Sequence, residues 1–155
     1  MKILGIDPGT ARLGWGVLEY QNNEFKVWGY DCIQTHSNQT DAVRLYYISQ
    51  ELQRIIKKFK PQVIAIEELF FSKNIKTAIS VAQARGVILS TACKYDLEIK
   101  EYKPTEVKQA ITGVGNASKE QVQKMVQIVL NLKHAPKLDD TADALACAIA
   151  GASNN

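Results

Sequence analysis

The first hydrophobic stretch of the chain does not alternate. Ile3, Leu4, Gly5 and Ile6 run without a polar interruption, the pattern of a strand covered on both faces. Asp7, Pro8 and Gly9 follow at once, and proline, which lacks an N–H for the ladder, ends such a strand. Residues 13–20 and 25–33 predict two further strands, with Asn22 and Asn23 at the turn between them, so that 2–7, 13–20 and 25–33 form an antiparallel meander. From Thr40 the period lengthens. Leu45, Ile48, Leu52, Ile55 and Phe59 recur at steps of 3 and 4, an amphipathic helix capped by Thr40 or Asp41, with Lys57 and Lys58 at its end and Pro61 as its stop.

Val63, Ile64, Ala65 and Ile66 repeat the first pattern and again end in an acid, Glu67. A helical crossover makes this strand parallel to the first. If the two are adjacent, Asp7 and Glu67 share one rim of the sheet. The remaining pattern predicts a helix over 74–93, a short strand over 97–102, and helices over 105–111, 119–131 and 139–152. Ser118 and Gln121 form a capping box, and Val122, Met125, Val126 and Val129 give the helix after them its buried stripe. In the last helix Leu138, Ala142, Leu145 and Ile149 make that stripe. Ala78, Ala82, Gly86 and Ser90 form a ridge of small residues at steps of 4, which invites a second backbone, either the protein's own sheet or another copy of the same helix. The expected fold class is α/β: a mixed five-stranded sheet, three strands in an antiparallel meander plus two parallel strands, flanked by helices in one domain over residues 1–155.

Composition adds limits. With 155 residues, 46% hydrophobic and 23% charged, the chain suits one ordinary domain. It has no apolar run of about 18 residues and no signal-like start, which predicts a cytoplasmic protein with no membrane partner. Cys32, Cys93 and Cys147 lack metal or disulfide spacing and are expected to be reduced, and His36 and His134 lie too far apart in sequence to suggest a pair. Charge is unevenly spread: residues 1–69 carry 8 Lys and Arg against 8 Asp and Glu, residues 70–137 carry 11 against 5, and residues 138–155 carry 0 against 3. A basic middle followed by an acidic cluster suggests a polyanion held by lysines and acted on by carboxylates.

The acidic cluster reads LDDTADALACAIA. Asp139 suits an N-cap, and acids in a first turn complement the helix dipole. Asp140 and Asp143, at i and i+3, share a face where their charges repel. One acid suffices for a cap, so further carboxylates without local partners point to metal. Together with Asp7 and either Glu67 or Glu68, they offer the oxygen ligands that Mg²⁺ or Mn²⁺ prefers. Two such ions, about 4 Å apart, can hydrolyse a phosphodiester.

IDPGT with the following LGWGV, AIEELFFSKN, the helix ending QARG, VKQAITGVGNASKEQV and DDTADALA together resemble, in order and spacing, the RuvC family of bacterial crossover junction endodeoxyribonucleases. The resemblance runs from Met1 to about Ala150. It implies a ribonuclease H-like fold, a homodimer, symmetric cleavage of four-way (Holliday) DNA junctions in recombination and repair, and the RuvA–RuvB branch-migration complex as partner. It also selects the catalytic, metal-holding acids as Asp7, Glu67, Asp140 and Asp143, for two Mg²⁺ ions per site with Mn²⁺ able to substitute. Lys119 is expected to stabilise the transition state as a freely mobile ammonium, and Lys108 to hold the DNA backbone, with Lys73, Lys76 and Lys103 as further contacts. Of Phe70 and Phe71 one is expected to pack inward, and the resemblance favours Phe70 for stacking on DNA bases. IDPGT also resembles the phosphate loop of actin-like ATPases, but those need two such domains. A ribonuclease H-like nuclease acting on RNA and a non-catalytic junction binder are the remaining alternatives.

Overall fold

The computed structural model describes residues 1–69 and 74–153. Its elements, in chain order, are β1 (Lys2–Asp7), β2 (Arg12–Gln21), β3 (Glu24–Gln34), α1 (Asp41–Phe59), β4 (Val63–Glu67), α2 (Ile75–Lys94), β5 (Glu98–Tyr102), α3 (Pro104–Thr112), α4 (Lys119–Val129) and α5 (Asp139–Ser153). The strands form one sheet in the order β3-β2-β1-β4-β5. The first three pair antiparallel, while β4 runs parallel to β1 and β5 parallel to β4.

Local signals set the element ends. Asn22 and Asn23 both adopt positive φ, 52° and 63°, the conformation a tight hairpin needs and asparagine tolerates. The Thr40 side chain accepts the Val43 N–H at the start of α1, and at its end Lys60 turns left-handed and donates its N–H to Ile56. Pro61 then prevents continuation. Both halves of the Ser118–Gln121 capping box form at the start of α4.

Strand parity divides the interior in two. Leu4, Ile6, Ile64 and Ile66 point to one face, packing with Ile48, Leu52 and Ile56 of α1 and Ile88 and Ala92 of α2. Ile3, Val63 and Ala65 point to the other, against Val107, Val122 and Val126 of α3 and α4 and Leu145 and Ile149 of α5. Successive side chains alternate across a sheet, so Asp7 and Glu67 project towards α5. Ile6 and Ile66 are register partners, which leaves the two acids side by side at the ends of neighbouring strands.

Helix α5 lies directly on the sheet. A Cβ on Gly5 would collide with the backbone of Ala144 and Ala148, and one on Gly14 would collide with the carbonyl of Asp140. Ala144, Leu145, Ala146, Cys147, Ala148 and Ile149 are all at most 3% exposed. The expected stripe of four therefore understates the helix, which is buried all round at its middle, while Leu138 is only half-buried. Alanine permits this because it brings little bulk between the sheet below and α3 and α4 beside it.

Two expectations need correction, and one left open is narrowed. Val129 is 36% exposed and Leu130 is buried in its place, because the chain leaves the helix there and turns Leu130 inward. Asp139 is not the cap of α5: the Leu138 carbonyl accepts the N–H groups of Thr141 and Ala142, and Asp139 turns to side chains of α4. Of the small ridge on α2, Ala78 is buried but Ala82, Gly86 and Ser90 are exposed. Its sheet-facing side is instead Ala84, Ile88 and Ala92, each 0% exposed.

Gly5→Ala is expected to cost about 1 to 3 kcal/mol, since the intruding methyl meets helix backbone that cannot rotate away. Urea unfolding followed by circular dichroism measures this, with the midpoint falling and the slope unchanged.

Candidate active site

The short turn after β1 is tied down by three side-chain hydrogen bonds, to α2 and to the end of β3. Thr10 is buried, and its hydroxyl donates to the Ser80 carbonyl of α2 at 2.8 Å and accepts from the Ser80 hydroxyl at 2.7 Å. Thr35, just past β3, donates its hydroxyl to the Thr10 carbonyl at 2.6 Å. Asp7 is thus the last residue of a strand whose exit path is fixed. On β4, Arg85 of α2 donates to the Glu67 carbonyl and also pairs with Glu101 of β5, which secures the strand end that carries Glu67.

Asp140 and Asp143 reach the same rim from the first turns of α5. Their fields act on Asp7, whose pKa is raised to about 8 by burial first, then by Asp143, Asp140 and Glu67, with Lys119 opposing. Glu67 is also raised, by burial and by Asp143, against a lowering influence of Lys108. Burial raises Asp143 as well, although Lys119 pulls it down. One turn further along α5, the buried Cys147 thiol is pushed well up by burial and by Glu67, Asp7 and Asp143. It forms an uncharged floor beneath the acids. All three cysteines are free thiols.

The acids do have local partners. Arg12 Nε stands 3.2 Å from Asp140 Oδ2, and Lys119 Nζ lies 3.2 Å from Asp139 and 3.5 Å from Asp143. The expectations of unpartnered carboxylates and of a freely mobile Lys119 are both corrected, because each cation is drawn to the nearest excess of negative charge. Burial lowers the Lys119 pKa, but Asp143 and Asp139 outweigh it and the ammonium stands above the usual lysine value. Asp139 also accepts a hydrogen bond from Gln123 Nε2 at 2.9 Å.

Lys108 and Lys119 line one cleft together with Glu67 and Asp143. Lys76 lies instead in a groove on the other side, with Asp140, Arg12 and Arg44. Lys103 is exposed at the start of α3. Phe70, Phe71 and Lys73 lie outside the described residues. Glu68 faces a third hollow beside Asp7, Thr77 and Arg85, whereas Glu67 also lines the cleft that holds Asp143, Lys108 and Lys119. Sequence reasoning missed Arg12 and the anchoring role of Arg85. The QARG tetrapeptide contains Arg85, but nothing in its spacing relates it to the Glu67 carbonyl.

The donor set suits a hard divalent cation in kind: four carboxylates, of which Asp140 has a buried Oδ2 that accepts no hydrogen bond. As they stand, no three Asp, Glu, His or Cys groups among the described residues converge closely enough to hold an ion. Arg12 and Lys119 occupy Asp140 and Asp143, and a bound cation would compete with both.

The family model for crossover junction endodeoxyribonuclease RuvC matches residues 3–151 of the chain. The crossover junction endodeoxyribonuclease RuvC of Caldicellulosiruptor saccharolyticus is 53% identical over 150 residues, covering 96% of this chain and 90% of that protein. The one of Caldanaerobacter subterraneus subsp. tengcongensis is 48% identical over 155 residues, covering 100% and 94%. Among solved structures, T. thermophilus RuvC in complex with Holliday junction substrate gives a TM-score of 0.94 at 34% identity, covering 99% of this chain and 93% of that one.

The raised Asp7 pKa has a definite linkage sign. Between its ordinary value near 3.8 and its folded value of about 8, the folded state binds a proton that the unfolded chain has released. Asp7 therefore destabilises the folded protein increasingly as pH rises through that window. In chelator, Asp7→Asn is expected to melt several degrees above the wild type at pH 8, with the gap shrinking towards pH 5. Thermal melts at the two pH values measure it.

Proposed function

The chain belongs to the crossover junction endodeoxyribonuclease RuvC family, and from that premise we propose that it cuts four-way DNA junctions symmetrically, as a homodimer, with two Mg²⁺ ions at each site. The observation that supports this reading is the gathering of Asp7, Glu67, Asp140 and Asp143 at one end of the sheet, where burial first, and then the charges of the other three acids, raise the Asp7 pKa. Dependence on divalent metal belongs to the family's nuclease chemistry. When bound by these acids, the ions supply an activated water and stabilise the leaving oxygen of a phosphodiester.

The chain's own residues do the rest. Asp7 and Glu67 present oxygens from strand ends whose backbone is held by Arg85 and by the Thr10 network, so little reorganisation is required of them. Lys119, on the first turn of α4 and 3.5 Å from Asp143, stands within a short side-chain rotation of a phosphate placed over the acids. Its charge would offset the negative charge that grows on the reacting phosphoryl group. Lys108, on α3 in the same cleft, binds the backbone in both ground and transition state, with Lys103 and Lys73 as additional contacts. Phe70 stacks on an unpaired base.

The exposed small face of α2 supports the dimer. A Cβ at Gly86 would meet nothing within 4 Å, so a second copy of the helix can come close there. Two-fold symmetry suits a junction whose cut strands are themselves related by a two-fold axis. The protein works in the cytoplasm with the RuvA–RuvB complex, as a single nuclease domain over residues 1–155. No helix among the described residues is long and apolar enough to cross a membrane.

Four-way junction, duplex and RNA substrates incubated with and without Mg²⁺ test the reading, and metal-dependent cutting confined to the junction is expected. Changing any one of Asp7, Glu67, Asp140 or Asp143 to its amide should abolish cutting and leave junction binding in chelator intact or tighter. Lys119→Ala should slow single-turnover cutting of saturated junctions far more than it weakens binding. Lys108→Ala should chiefly weaken binding and flatten its dependence on salt, which filter binding across a salt series measures.

A further inference from the structure

A strand laid across the four acids must leave them in two directions, and Lys108 and Lys119 serve one. On the other side of Asp140 lies the groove formed by the turn after β1 and the first turns of α1 and α2, lined by Arg12, Arg44, Lys76 and Ser80. Asp140 is the one acid that lines it among the described residues, and Arg12 Nε stands 3.2 Å from that carboxylate. Arg44 and Lys76 therefore remain as surplus positive charge. No aromatic ring among the described residues lines the groove, so it offers nothing on which a base could stack.

Arg44 is built in rather than waving in solvent. Its side chain is 15% exposed, and its Nη1 has only a 3.8 Å contact to Asp41, which is itself 70% exposed. Its Nε donates to Thr35 Oγ1 at 2.8 Å, and the same hydroxyl donates to the Thr10 carbonyl at 2.6 Å. The network that fixes the strand exit beside Asp7 thus also fixes a guanidinium at the groove wall. A pre-positioned guanidinium loses little freedom on binding and matches the oxygens of a phosphate.

We infer that this groove is a second phosphate track, in which Arg44 and Lys76 grip the DNA backbone on the flank of the cut opposite Lys108 and Lys119. The inference rests on the proposed junction-cutting function and adds the path of the strand through the site. It also makes Arg12 a shared cation, able to pass from Asp140 to a phosphate once Asp140 engages another partner.

The test uses Arg44→Gln and Lys76→Gln in the full chain, with thermal melts to confirm that each folds. Junctions carrying a single uncharged methylphosphonate, stepped outward from the cleavage position in both directions, are titrated in chelator. Each variant is expected to bind the unmodified junction about tenfold more weakly, with a salt slope shallower by roughly 1 for each phosphate that the variant no longer neutralises. The wild type should lose affinity at modified phosphates on both flanks. Each variant should become insensitive at a position on one flank while keeping full sensitivity on the flank served by Lys108. Wild-type affinity, salt slope and methylphosphonate profile in both variants would overturn the groove and leave the junction-cutting function standing. A wild-type protein that binds four-way junctions no better than duplex would instead overturn that function, and the track with it.

Discussion

The close seating of α5 on β1 and β2 is the constraint on which the rest of the structure depends. Gly5 and Gly14 leave no room for a methyl between sheet and helix, where Ala144 and Ala148 meet the first and the backbone of Asp140 and Thr141 meets the second. If the helix stood off by the width of a side chain, Asp140 and Asp143 would leave the rim on which Asp7 and Glu67 end. Packing at this density tolerates few rearrangements, so the separation of the acids is set by the core rather than by the acids themselves. Their repulsion is carried by hydrophobic burial around them.

Burial first, and that repulsion after it, shift Asp7, Glu67 and Asp143 upward. The protein softens it with two cations from separate elements, Arg12 on β2 and Lys119 on α4. Both pairs are partly solvated and individually weak. A solvated pair of this kind yields readily to a stronger competitor for either partner. Below the acids the uncharged Cys147 offers no competing charge.

The hydroxyl network through Thr10, Thr35 and Ser80 couples the strand exit at Asp7 to α2 and to Arg44. Backbone order near the acids and the placement of a basic groove are therefore one construction. Arg85 does the same on the other strand, joining the end of β4 to β5 and α2. Side chains on both sides of the rim are thus held in place by the fold itself.

Much of this was legible in the chain because it is local. Continuous apolar runs closed by Asp7 and Glu67, the asparagine turn, the caps at Thr40 and Ser118 and the i, i+3 spacing of Asp140 and Asp143 depend on neighbours within a few residues. Even the side-by-side placement of Asp7 and Glu67 follows once the two strands are parallel and adjacent. The choice of Glu67 over Glu68 came from family resemblance; strand parity shows only that Glu67 projects towards α5. What tertiary structure alone decided involves residues far apart in sequence: Arg12 with Asp140, Lys119 with Asp139 and Asp143, Thr10 with Ser80, and α5 with Gly5 and Gly14. Asp139 looked like a cap and Lys119 looked free because sequence spacing describes a helix in isolation. A side chain's charge partner is selected by distance in space, and those distances exist only after the sheet and α5 have closed on each other.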